Sequence, residues 1–187
     1  MLRKTEQLRR CQCVKSRGRR ITISQFLNFQ LFCAIAHVRS LHEAPPEPAD
    51  SFNGVPPPNP ELYPHDGGDR HSTMVELAIP QEEVEENFKK HHLLDNQIVF
   101  LKGWFKDTLP TAPIDKIAVL RLDGDLYESY MDGLNSLYHK ISKGGFVIID
   151  DYGMGPVKEA IKDFRIKHNI VTPIIDIDES GVYWRIE

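Results

Sequence analysis

The sequence predicts an α/β protein built on one mostly parallel sheet with an antiparallel last strand. Three observations predict it. Near-continuous apolar runs, Ile117–Leu122 and Phe146–Ile149, alternate with stretches of helical periodicity, as expected for strands buried on both faces between crossover helices. Two β-like runs at the end, Thr172–Ile177 and Val182–Ile186, flank a Glu-Ser-Gly turn and read as a hairpin. Acidic pairs follow the two apolar strands directly, at the carboxyl ends where open α/β sheets bind ligands.

The elements follow in chain order. Pro80 to His91 has Pro in the first turn, then Glu82 and Glu83, and ends in Lys89 and Lys90. That order complements the helix dipole. Val84 and Phe88, four apart, face the core. Gln97–Leu101 reads as a short strand. Ile117–Leu122 carries one charge, Arg121, in an otherwise apolar strand. From Leu126 to Ile141 the apolar positions Leu126, Tyr130, Leu134, Leu137 and Ile141 recur every three or four residues. This is a helix, which Gly144-Gly145 is expected to stop. Pro156 opens a further helix with Val157, Ala160, Ile161 and Phe164 on one side.

The chain has 187 residues, enough for one domain. No apolar run is long enough for a transmembrane helix; no membrane or nucleic acid is expected as a partner, although the basic start could touch either, and a cytoplasmic location is expected. Residues 1–50 hold nine Lys/Arg against four Asp/Glu, and the remainder fourteen against twenty-three. That asymmetry marks residues 1–48 as a segment with a different history from the domain at 49–187, poorly ordered and joined to it through the Pro-rich stretch His42–Pro48. A basic start followed by an apolar stretch from Ile21 to Val38 also resembles a leader peptide, although Ser24, Gln25, Asn28 and Gln30 interrupt it. Cys11, Cys13 and Cys33 all lie in this segment, so no disulfide framework supports the body.

The chemistry is carried by acids at strand ends. Asp123 and Asp125 follow one buried strand, and Asp150 and Asp151 follow the next. Neighbouring strands lie about 4.8 Å apart, so carboxylates at their ends converge on one ion. Carboxylates without Cys or His suit a hard cation such as Mg²⁺, Ca²⁺ or Mn²⁺ better than zinc. The competing reading is that these acids cap the following helices. For Asp125, with Glu128 placed as in a capping box, the cap is the expected role; for Asp123, Asp150 and Asp151 it is the metal.

Four stretches, "ADSFNGVPPPNPELYPHDGGDRH", "FLKGWFKDTLP", "VLRLDGDLYESYMDGLNSLY" and "GGFVIIDDYG", together resemble the macrocin O-methyltransferase (TylF-like) family from about Ala49 to the C-terminus. The resemblance implies a Rossmann-like class I methyltransferase sheet. It implies S-adenosylmethionine and Mg²⁺ as cofactors, and a small-molecule hydroxyl acceptor, typically a sugar of a natural product. It implies Asp123, Asp150 and Asp151 as metal ligands, with Asp123 also the base for the acceptor hydroxyl. Asp50 matches the acidic position after the second strand that bonds the donor's ribose, with Ser51 beside it as a further cofactor-binding residue. Gly103 and Trp104 lie where the adenine is expected. The loop Tyr63–Thr73, with Asp69, Arg70 and His71, resembles a mobile cover over the site. Self-association is compatible with all of this.

The sequence also departs from that family. The family carries a strand, a Gly-rich turn and a helix before the "ADSF" position, and glycine lets that turn approach the donor's methionine portion. Residues 1–48 hold a single glycine, Gly18. The chain therefore reads as an N-terminally truncated or mis-joined member that lacks the first strand and its loop, with donor binding weakened or lost. Two other readings remain. One is a non-catalytic methyltransferase remnant or metal-binding protein. The other is a phosphatase, since Asp-Gly-Asp-Leu resembles the D-x-D of haloacid-dehalogenase enzymes; the motif comes late in the chain and lacks their Thr.

Overall fold

The structure is a computed structural model that describes residues 33–37 and 46–187, apart from residue 97. All of them belong to one compact unit, Leu31–Glu187. The expectations for residues 1–32 and 38–45 lie outside the described residues; of the Pro-rich stretch expected as a join, Pro46, Glu47 and Pro48 are described and begin a strand.

The strands are β1 (Cys33–His37), β2 (Pro46–Asp50), β3 (Leu101–Lys102), β4 (Ile117–Leu122), β5 (Ile141–Ile149), β6 (Ile175–Asp176) and β7 (Val182–Arg185). The helices are α1 (Gln81–Lys90), α2 (Phe105–Thr108), α3 (Tyr127–Leu137) and α4 (Gly155–Lys167), with short 3₁₀ turns between. The strands form one sheet in the order β3-β2-β1-β4-β5-β7-β6. β2 pairs parallel with β3, and β4 with β5. β7 runs against β5 and β6, which closes the terminal hairpin as expected.

β1 lies between β2 and β4, antiparallel to both. It comes from the apolar stretch before the "ADSF" position, which the sequence pattern did not single out as a strand. It carries no glycine and runs opposite to its four nearest strands. Its presence has a plain physical reason. Without it, β2 and β4 would each leave a row of backbone N–H and C=O groups unpaired inside the sheet.

Two expected boundaries move. The helix predicted to reach Ile141 stops at Leu137, turns once as 3₁₀ through Tyr138–Lys140, and gives way to β5 at Ile141. Gly144-Gly145 is therefore a bulge inside β5 and stops no helix: the register with β4 slips between Ile117 and Val119. Gly144 sits at φ +81°, and a Cβ on Gly145 would come within 2.8 Å of the Ala118 and Ser142 carbonyls. The strands predicted at Gln97–Leu101 and Thr172–Ile177 shrink to two residues each, because pairing with β2 and β7 covers only those positions.

The core forms around β4 and β5. Leu120, Leu122, Val147 and Ile149 from the strands, Tyr130, Leu134 and Leu137 from α3, and Val157, Ala160, Ile161 and Phe164 from α4 are all buried in one cluster with Trp184. The apolar faces read from the sequence on α3 and α4 point into this cluster, whereas Val84 and Phe88 of α1 are buried outside it. Among the described residues, no helix is long and apolar enough to cross a membrane.

Candidate active site

β2, β3, β4 and β5 run the same way, so their carboxyl ends share one edge of the sheet. Asp50 ends β2, Gly103 and Trp104 follow β3, Asp123 follows β4, and Asp150 and Asp151 follow β5. One ligand atom each from Asp123, Asp150 and Asp151 lies within 4.8 Å of the others. The cluster expected from the strand ends therefore forms. Its donors are all carboxylate oxygens, which fits a hard divalent cation.

Each acid is held differently. Asp151 Oδ2 accepts the Gly124 and Asp125 backbone N–H groups at 3.3 and 3.2 Å and lies 3.0 Å from the Tyr130 hydroxyl. That hydroxyl also lies 3.1 Å from the Leu122 carbonyl and accepts the Asp151 N–H at 3.3 Å. Burial, then the charges of Asp151 and Asp123, push the Tyr130 phenol well above its ordinary value, so it stays protonated and serves as a donor. Asp123 and Asp150 are instead joined by Arg121. Its Nη2 donates to Asp123 Oδ2 at 2.8 Å and also to Asp150 Oδ2. Burial, against the opposing charge of Arg121, raises the Asp123 carboxyl to about 8, and its neighbours Asp151 and Asp150 add to the rise.

Asp125 does not cap the helix. It sits at φ +59° before the first turn, and burial followed by the charge of Asp151 lifts its carboxyl to about 6. The cap comes from a distant loop. Asp66, fully buried, accepts the Tyr127 and Glu128 backbone N–H groups at 2.6 and 3.0 Å, one on each carboxylate oxygen. Two of the orphan donors that open α3 are thereby satisfied, and a negative charge meets the positive end of the helix dipole. Burial nonetheless raises the Asp66 carboxyl above its ordinary value. Asp66→Ala is expected to cost about 1–2 kcal/mol of stability, measured by urea unfolding. A smaller loss for Asp66→Asn, which keeps one acceptor, checks that capping is the cause.

The same loop carries the expected cover residues. His65 stacks on Tyr127 with ring centroids 5.1 Å apart, so together with Asp66 the loop is anchored to the start of α3. Asp69 accepts the His71 backbone N–H at 2.8 Å and pairs with its ring Nδ1 at 2.6 Å. Burial disfavours the imidazolium, but the bond to Asp69 and the charges of Asp125, Asp69 and Asp151 outweigh it and raise the His71 pKa. His71 thus feels the charge of Asp151 in the acid cluster, and Asp69 lies near Asp125 beside it. Arg70 is exposed.

Asp50, Ser51, Trp104 and Asp123 line one cleft, with Phe105 and Gly124 between them. Asp50 Oδ1 accepts the Phe52 N–H at 2.5 Å, and Ser51 Oγ donates to the Gly54 carbonyl at 2.7 Å. Gly103 stands behind the cleft: at φ +145° with Thr108 Cγ2 only 2.7 Å from any added Cβ, it serves the turn out of β3.

The family model for macrocin O-methyltransferase (TylF) matches residues 38–186. The chain belongs to the macrocin O-methyltransferase family. Its relatives include the demethyldecarbamoylnovobiocin O-methyltransferase of Streptomyces niveus, 53% identical over 142 residues, covering 73% of this chain and 53% of that protein. The mycinamicin III 3″-O-methyltransferase of Micromonospora griseorubida is 45% identical over 140 residues, covering 73% and 55%. Among solved structures, the O-methyltransferase NovP is similar at 49% identity with a TM-score of 0.65, covering 74% of this chain and 58% of that one. The calicheamicin methyltransferase CalS11, at 19% identity and a TM-score of 0.57, shares the fold. The chain spans about half the length of the curated relatives it matches.

In this family member the two implied cofactors fare differently. The carboxylate cluster suits a divalent cation. The cleft beside Asp50 is open on one side and holds about 40 Å³, room for a few waters, and β1 supplies no glycine for a close backbone approach. Among the described residues this cleft offers Asp50, Ser51 and Trp104 toward S-adenosylmethionine and no Gly-rich turn.

Three residues that shape the site escaped the sequence reading. Arg121 had a visible signal, one charge in an apolar strand two residues before an acid, whose significance only the cluster reveals. Tyr130 looked like an ordinary core position. Asp66 had no local signal, since its partners lie more than sixty residues along the chain.

Proposed function

We propose that this chain carries the metal- and acceptor-binding half of a metal-dependent O-methyltransferase of the macrocin type, acting on a sugar hydroxyl of a small natural product. The convergence of the Asp123, Asp150 and Asp151 carboxylates within 4.8 Å supports this reading above any other observation. A divalent cation held there makes a neighbouring hydroxyl more acidic. Asp123, ionised beside such a cation, is placed to take the hydroxyl proton. Asp150 and Asp151, on one strand end, fix where the hydroxyl sits, which is the positioning such a reaction needs. Asp50 and Ser51 hold the ribose side of the donor site, and Asp69, Arg70 and His71 face the acceptor.

In isolation the chain is proposed to be inactive, because the donor side is incomplete. The small cleft and the reversed β1 support that part, and they favour the second reading, a remnant that keeps only the metal site. Isothermal titration separates the cases. Mn²⁺ is expected to bind, with Asp150→Asn weakening it about tenfold or more, ~1.4 kcal/mol. S-adenosylmethionine is expected to give no heat at millimolar concentration. Micromolar donor binding would overturn the inactive reading, and methyl transfer to sugar acceptors the remnant reading. Mn²⁺ binding indifferent to Asp150→Asn would remove the metal site.

A further inference from the structure

Resting on the metal reading above, we infer that Arg121 is a built-in competitor for the divalent cation, which sets how much metal the site needs and holds the acids together when no ion is there. One nitrogen, Nη2, hydrogen-bonds Asp123 and Asp150 together. A positive charge thus already lies between two of the three acids that converge on the cluster. Arg121 cannot easily leave for solvent. It sits in β4 between Leu120 and Leu122, both buried, and its own side chain is 11% exposed.

The third acid is arranged otherwise. Asp151 is held by the Gly124 and Asp125 N–H groups and the Tyr130 hydroxyl, all neutral donors. The cluster therefore has one arm preset by neutral hydrogen bonds and two arms tied to a cation. An entering divalent ion keeps the first arm as it is and takes the other two from Arg121. Like charges at such range repel strongly where water is scarce, so the guanidinium lowers metal affinity while it removes the repulsion among the acids of the metal-free state. A carboxylate cluster with no internal cation would bind metal more tightly and fold less well without it.

The test uses the full chain and Mn²⁺ as the probe. Arg121→Gln is expected to bind Mn²⁺ at least about tenfold more tightly than the parent chain, by titration or by the loss of the free-ion signal in electron paramagnetic resonance. Its melting temperature is expected to lie below the parent's without metal and to recover most of the gap when Mn²⁺ is added. Arg121→Lys keeps the charge and is expected to stay close to the parent in affinity. Equal or weaker Mn²⁺ binding by a folded Arg121→Gln chain overturns the inference and leaves the metal site standing. Absence of binding to either chain removes both. If Arg121→Gln does not fold, the parent chain still decides. The Arg121 side-chain Nε–H resonance is expected to shift on addition of Mg²⁺, and an unmoved resonance with Mg²⁺ bound overturns the inference.

Discussion

Replacing Asp151 with alanine is expected to cost about 2–4 kcal/mol of folding stability and to abolish metal binding. One carboxylate oxygen of Asp151 meets two backbone N–H groups and a buried hydroxyl. Hydrogen bonds to a charged acceptor contribute more than neutral ones, and stranded donors carry a desolvation cost of about 1–3 kcal/mol each. The contributions do not add in full, because the Gly124-Asp125 turn relaxes toward water. Asp151→Asn separates the two effects. Its side-chain oxygen still accepts from the turn, so stability is expected to fall by about 1 kcal/mol, whereas the lost charge still weakens Mn²⁺ binding. Denaturant unfolding and metal titration on both variants read the two losses. If Asp151→Ala proves as stable as the parent, the turn does not depend on this carboxylate, and the description of the site is wrong at that point.

The second large effect is a gain. Burial, opposed by the Phe52 N–H and Ser51 bonds, raises the Asp50 carboxyl from 3.8 to about 6. Below pH about 4 the group is protonated in both folded and unfolded chains and has no effect on stability. Between pH about 4 and 6 the unfolded chain releases the proton while the folded chain keeps it, so stability falls as pH rises. Above pH 6 the full cost, about 2–3 kcal/mol, is present. Asp50→Asn removes that cost. The variant is expected to be more stable than the parent by about 2 kcal/mol at pH 8 and about equal to it at pH 4. Thermal or urea unfolding at both pH values checks it, and a gain of the same size at pH 4 would contradict a titration origin. A carboxylate kept where it destabilises the fold agrees with the ribose-binding role proposed for Asp50. In a chain that binds the donor, the same substitution is expected to weaken donor binding while it stabilises the protein.

Much of the site was legible in the sequence because its logic is local. Apolar runs of strand length, each followed at once by paired acids, place Asp123, Asp150 and Asp151 at strand ends by backbone geometry alone, and adjacency of the two strands then brings the carboxylates together. Helix faces on α3 and α4 were equally plain, since burial on one side imposes a period of three to four residues. Local reasoning failed where two segments compete for the same residues. Ile141–Gly145 carries both a helical period and a glycine pair, and pairing with β4 decides for a bulged strand. Asp125 has the spacing of a cap, yet Asp66 reaches the helix start first from another loop.

The sequence by itself determined the family, the sheet, and which acids would stand at its carboxyl edge, because these follow from short-range pattern and chain direction. Only the tertiary structure decided that β1 enters the sheet reversed, that Arg121 lies between two of the acids, and that Asp50, Trp104 and Asp123 share one cleft. Those outcomes depend on which unpaired backbone and which unpaired charge find each other across the fold, and no local pattern records such encounters.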